Sequence, residues 1–284
     1  MRSAMLEALT LTTESTEPAA YVNTAPVVRA SAEWVAYFRH NAANRIPVPW
    51  DEGAGASPEE LAEIIESLRA WQLGETSDGS RLMRAASRYA VRMNEPGFVD
   101  AIQLFIAEEQ RHGAELGKYL DLAGVPRKGR DWGDTVFRCF RHLLHQMEVW
   151  ATTVVMVESH AMLYYAAIRR ATSSTVLRKI CHQILRDEVP HLRFQCERLA
   201  ILHRERSRGL LALTMGFHRV LFTGITLAVW VGHRRALRAG GFTFGRFWRS
   251  AWTQMGKAWR AMNPRAYHWP VTSRALSALS ARAG

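Results

Sequence analysis

Asp187-Glu188-Val189-Pro190-His191 sets a glutamate and a histidine three residues apart behind a second acid, in a stretch of helical character. Glu108-Glu109-Gln110-Arg111-His112 repeats the arrangement earlier in the chain. On a helix, residues three apart share a face about one turn apart, so the carboxylate and the imidazole can reach one point. The motif alone is weak: with 26 acidic residues and 11 histidines in 284 residues, about one chance match is expected. What gives it weight is the order of the elements around it.

Each motif is preceded by a lone glutamate, Glu75 lying 34 residues before Glu109 and Glu158 lying 30 before Glu188. Helical periodicity predicts four long helices at 58–92, 96–123, 133–170 and 175–204, after a short one at 31–43 that ends at IPVPW. Ser57-Pro58-Glu59-Glu60 starts the first of the four, with Ser as cap, Pro at the first helical position and Glu positioned for a capping box. Asn94-Glu95-Pro96-Gly97 and Thr172-Ser173-Ser174 are short breaks that make their flanking helices antiparallel neighbours. The break after Gly124 runs about nine residues and can extend roughly 30 Å, enough to pass from one end of a bundle to the other. Glu158 and Glu188 each stand about 15 residues from the Ser173 turn and so at one height. Glu75 and Glu109 differ by about 6 Å, or one turn, on the same reckoning.

This pattern of Glu, ExxH, Glu, ExxH over residues 57–204 resembles the ferritin-like di-iron carboxylate superfamily, which includes ferritins, rubrerythrins and di-iron oxygenases. The resemblance implies an all-α, ferritin-like four-helix bundle with one long crossover. It also implies two iron ions, with manganese as the alternative, held by Glu75, Glu109, His112, Glu158, Glu188 and His191. Glu108 and Asp187 would each hydrogen-bond the histidine of the other motif and fix its tautomer. A donor set of carboxylates and two imidazoles without thiolate suits iron or manganese better than structural zinc.

Two features depart from that pattern. Pro190 lies inside the second motif, where it removes a backbone donor and is expected to kink the helix. Leu73-Gly74-Glu75-Thr76-Ser77-Asp78-Gly79-Ser80 is glycine-rich for a helix interior. It reads either as a loop or as a place where Gly79 leaves room beside the metals and Asp78 adds an oxygen. Trp71 and Tyr165 fall at helical offsets from Glu75 and Glu158, as core residues or as relays and pocket walls.

The net charge of +11 comes from 37 Lys and Arg against 26 acids. Residues 201–284 carry 14 of those bases and a single acid, Glu205, whereas the first 200 residues are near balance. The chain therefore divides into a disordered tail at 1–30, the di-iron bundle at 31–204, and a basic, aromatic-rich helical extension at 205–284. In the extension an apolar run from Val220 to Gly232 is too short to span a bilayer and reads as a helix buried on the bundle. Aromatic and basic residues beyond it suit a peripheral membrane contact or an acidic protein partner, with nucleic acid the least favoured. Three cysteines without a CxxC spacing point to a cytoplasmic protein, and the N-terminus does not read as a signal peptide.

The resemblance implies an oxidoreductase that uses dioxygen to hydroxylate, desaturate or otherwise oxygenate an organic or carrier-bound substrate. Without a rubredoxin-like cysteine set, electrons are expected from a separate external donor or from the substrate. The alternative is a ferritin- or rubrerythrin-like protein that handles iron or peroxide.

Overall fold

A computed structural model describes residues 26–129 and 146–269. Within them the protein is all-helical, its only β pairing being one isolated bridge between Val27 and His268. Eight α-helices follow in order: α1 Ser31–Ala43, α2 Pro58–Glu75, α3 Ser80–Met93, α4 Gly97–Leu122, α5 Met147–Ala171, α6 Thr175–His203, α7 Arg208–Ala239 and α8 Phe244–Ala261. The long connection expected after Gly124, and the start of the predicted helix 133–170, fall on residues 130–145 outside the described residues. Of the expected disordered tail, residues 1–25 also lie outside. Residues 26–30 are tied down, with the Arg29 amide donating to Glu197 Oε2 at 3.1 Å.

The Ser57 capping box forms: Ser57 Oγ accepts the Glu60 amide, and Glu60 accepts the Ser57 amide. Glu60 also accepts the Ser173 amide at 3.0 Å, which fastens the start of α2 to the α5–α6 turn. The predicted helix 58–92 is two helices. Glu75 is the last residue of α2, and the chain turns through Gly79, whose φ of 66° is left-handed, before α3 begins. A Cβ on Gly79 would come within 2.6 Å of Ile106. The residue serves a tight turn against α4, and it also lines the cavity described below that reaches Glu75. Asp78 Oδ1 accepts the Ser80 amide at the head of α3 and is absent from the carboxylate clusters described below.

The core is continuous across the helices. Trp34 and Phe38 of α1 pack with Phe98 and Phe105 of α4 and Phe194 of α6, and Phe222, Trp230 and Leu237 of α7 with Phe247 and Met255 of α8 extend the same cluster. Residues 208–261 thus share one apolar interior with the helices before them. α7 itself differs from the buried 13-residue element expected. It is 32 residues long, and an 18-residue window with mean hydropathy 1.5 makes it long and apolar enough to cross a membrane by length and composition, while only 17 % of that window is buried.

His218 gives one testable consequence of this packing. It is 3 % exposed, and burial followed by the neighbouring His203 lowers its pKa to about 4, with Glu148 opposing and Arg206 adding to the shift. A depressed histidine pKa favours the fold fully above about pH 6.5 and progressively less as pH falls toward 4. Between pH 7 and 5 the native chain is expected to lose about 2 kcal/mol more stability than His218→Leu, read from urea titrations at both pH values.

Candidate metal centre

Four helices bring six side chains to one buried place. Glu75 comes from the end of α2, Glu109 and His112 from α4, Glu158 from α5, and Glu188 and His191 from α6. Gly113 sets the approach of α2: a Cβ there would lie 3.1 Å from the Glu75 backbone and 2.8 Å from Thr76. With no side chain at 113, the end of α2 lies directly on α4 beside His112. α6 continues through Pro190, so Glu188 and His191 remain on one face of one helix.

The side chains form two overlapping groups. Ligand atoms of Glu109, Glu158, Glu188 and His191 lie within 4.8 Å of one another, as do those of Glu75, Glu109 and His112. Glu109 belongs to both. His112 Nδ1 is also 4.0 Å from Glu188 Oε1, which ties the groups together from the α6 side.

Each imidazole turns Nδ1 toward the carboxylates and gives Nε2 to an acid of the other motif. His112 Nε2 is 2.9 Å from Asp187 Oδ2, and His191 Nε2 is 3.0 Å from Glu108 Oε2. A network that the sequence did not disclose holds these acids. Asn41 of α1 donates to both Glu108 and Asp187. Gln183 donates to both Asp187 oxygens at 2.8 Å, and Arg111 donates to Glu108. Gln183 lies one turn before Asp187 and Arg111 three residues after Glu108, offsets that could have flagged both. Asn41 carries no such signal, because its helix has no sequence relation to the motifs. On the opposite side the Tyr165 hydroxyl donates to Glu75 Oε1 at 2.7 Å, and Trp71 stacks on Tyr164 at 4.5 Å.

The electrostatics are those of crowded anions. Burial, then Glu109 and Glu188, hold Glu75 well above the usual carboxylate range. Burial, then Glu188 and Glu109, do the same to Glu158. Burial resists ionisation of Glu109 most strongly, but His191, His112 and Glu75 together overcome it and bring the group below its ordinary value. His191 is likewise disfavoured as a cation by burial, yet Glu109 and Glu108 lift it well above the ordinary histidine range.

Five buried atoms at the centre have no hydrogen-bond partner: Glu109 Oε1, His112 Nδ1, His191 Nδ1 and both Glu188 oxygens. His191 Nδ1 and Glu109 Oε1 are 2.8 Å apart but out of line for a hydrogen bond. These atoms have only ionic contacts with one another, His191 Nδ1 lying 3.4 Å from Glu188 Oε2 and His112 Nδ1 4.0 Å from Glu188 Oε1, and a buried polar group without a hydrogen bond costs up to about 1–3 kcal/mol. They converge as a cation would require, and carboxylate with imidazole, which gives up its Nδ1 proton when it ligates, is the donor set of a transition-metal ion. The residues therefore could hold a metal ion.

A cavity of about 1170 Å³ reaches the centre, with Glu75, Glu109 and Glu158 in its wall. Phe105, Ile106, Val157 and Ala161 line it nearby, and Leu221 and Ile225 of α7 line it farther out. Its size exceeds the roughly 300–1,000 Å³ typical of small-molecule sites. Comparison with protein-family models, with curated proteins and with solved structures returns no match.

Proposed function

We propose that α2, α4, α5 and α6 form a ferritin-like four-helix bundle whose two metal ions, iron by preference, serve an oxidoreductase acting on an organic molecule. Glu75, Glu109 and His112 would hold one ion and Glu158, Glu188 and His191 the other, with Glu109 shared. A pair of redox-active ions would supply electrons to dioxygen and oxidising power to an adjacent organic group.

The observation that carries this reading is the convergence of buried carboxylate and imidazole atoms that lack hydrogen-bond partners beside a large, mainly apolar cavity. The acids behind the histidines keep Nδ1 free for a ligand role by accepting from Nε2. The apolar lining excludes water from the reacting group and confines it near the centre. The mainly apolar wall favours an organic substrate over bulk mineral, and Asp78, Arg81, Arg84 and Lys128 give it one polar side.

Purified protein loaded anaerobically with ferrous iron is expected to retain close to two ions per chain, and His191→Ala at most about one, because each site loses affinity when a donor is removed. Metal analysis reads both. Negligible retention by the native chain would sink the metal centre. Repeated ferrous additions in air that build a retained mineral core would replace substrate oxidation with iron handling.

A further inference from the structure

α7 turns a continuous apolar stripe to solvent. Leu210, Leu213, Phe217, Val220, Leu227 and Val231 are 48, 71, 59, 74, 43 and 60 % exposed, and with Gly224 they recur every three or four residues along one side of the helix. Among the described residues nothing covers it. A contiguous stripe of this kind marks an interaction surface rather than ordinary surface scatter.

Three features identify the occupant. The helix meets the length and hydropathy of a membrane segment, but its other side packs on α2, α5 and α8. Those neighbours expose Glu59 and Glu63 on α2 and Arg246, Arg249 and Lys257 on α8. Charges there exclude a spanning position, so α7 would lie in the plane of an interface, its apolar side among the acyl chains. Arg206 and Arg208 stand at one end of the helix and Arg234, Arg235 and Arg238 at the other. Arg206 is paired with Glu148 and Arg235 with Glu63, yet residues 201–284 carry 14 bases against one acid. A second copy of this chain would bring the same positive charge to the contact and be repelled, whereas anionic headgroups complement it.

The cavity joins this surface to the centre. Val220, Gly224, Ala228 and Gly232, on the exposed side of α7, line the same cavity that Glu75, Glu109 and Glu158 line inside. The missing side chains of Gly224 and Gly232 leave a trough between the stripe and the interior.

We propose that the exposed side of α7 rests on an anionic lipid bilayer and that the cavity takes a long apolar chain from that bilayer toward the buried carboxylates. The destination of the chain rests on the proposed metal-centre reading. The membrane contact and the entry of the chain do not.

The test uses the full-length protein and vesicles of phosphatidylglycerol and phosphatidylcholine in equal parts, carrying a diazirine-bearing hexadecanoic acid. The protein is expected to sediment with these vesicles, more strongly than with pure phosphatidylcholine. The double variant Phe217→Asp, Val231→Asp, checked for native helicity, is expected to bind at least about tenfold more weakly, because two charges enter the apolar side of the interface. After illumination, crosslinks are expected on Val157 or Ala161 of α5 as well as on α7. Gly224→Trp, at a position with no atom within 4 Å of a new Cβ, is expected to abolish the α5 crosslinks while sedimentation persists. Glu188→Ala is expected to leave sedimentation and crosslinking intact, so failure of the metal reading is seen separately. Absence of vesicle binding overturns the proposal. So does a lipid-free dimer that Phe217→Asp dissociates, and so do crosslinks confined to the outer stripe.

Discussion

Glu188→Leu is expected to stabilise the metal-free chain by about 1–4 kcal/mol while cutting metal affinity by at least about a hundredfold. Both Glu188 oxygens are buried without a hydrogen-bond partner, and Glu75, Glu109 and Glu158 crowd around them. Without metal, that carboxylate contributes repulsion and a desolvation cost offset only by the imidazoles, His191 Nδ1 at 3.4 Å and His112 Nδ1 at 4.0 Å. Leucine has a similar volume and removes both. Urea unfolding in chelator, compared with unfolding in ferrous or manganous ion under anaerobic conditions, separates the two effects. The native chain should gain stability with metal by mass action, and the variant should gain markedly less. A leucine variant that is less stable in chelator would mean the carboxylates are compensated within the protein.

The opposite sign is expected for Asp187→Ala, which should lose about 3–5 kcal/mol of stability with or without metal. Asp187 is completely buried and accepts from Asn41, Gln183 and His112, with Arg111 at 3.5 Å. Burial opposes its charge, but His112 and these donors overcome it and hold its carboxyl far below the usual range. Alanine strands Gln183 and His112, while Asn41 and Arg111 keep Glu108 as acceptor. His112 loses the bond that orients Nδ1, so metal affinity should also fall by about 10–100-fold. Asp187→Asn keeps one acceptor oxygen and should recover much of the stability but little of the affinity. Equal recovery of both would show that Asp187 acts through packing alone.

These two neighbours behave oppositely for a reason only partly legible in the sequence. The spacing of Glu188 and His191 implies a shared helical face, and the acid just before each motif lies close enough to reach its counterpart across the interior. The Ser57 cap could also be read, since its chemistry is local. Asn41, Gly113 and the trough along α7 depend on which helices meet, which no local pattern encodes. The break after Glu75 was hidden because Arg81 to Met93 resumes helical periodicity and Gly74 to Gly79 is compatible with either reading. α7 was underestimated because His218-Arg219 interrupts the apolar run. His218 turns inward while Arg219 lies over the Trp259 ring, and the helix passes through without a break.

The exchange of partners between motifs also dictates a chronology. The bonds from His112 to Asp187 and from His191 to Glu108 close over separations of 75 and 83 residues, and closing loops of that length carries an entropic cost that only later tertiary contacts offset. Neither imidazole is aimed until α4 and α6 have docked, so a nascent chain that has not yet made α6 has no competent half-site with which to capture an ion. On the proposed metal reading, loading would follow folding, and the folded, metal-free protein would be a species in its own right.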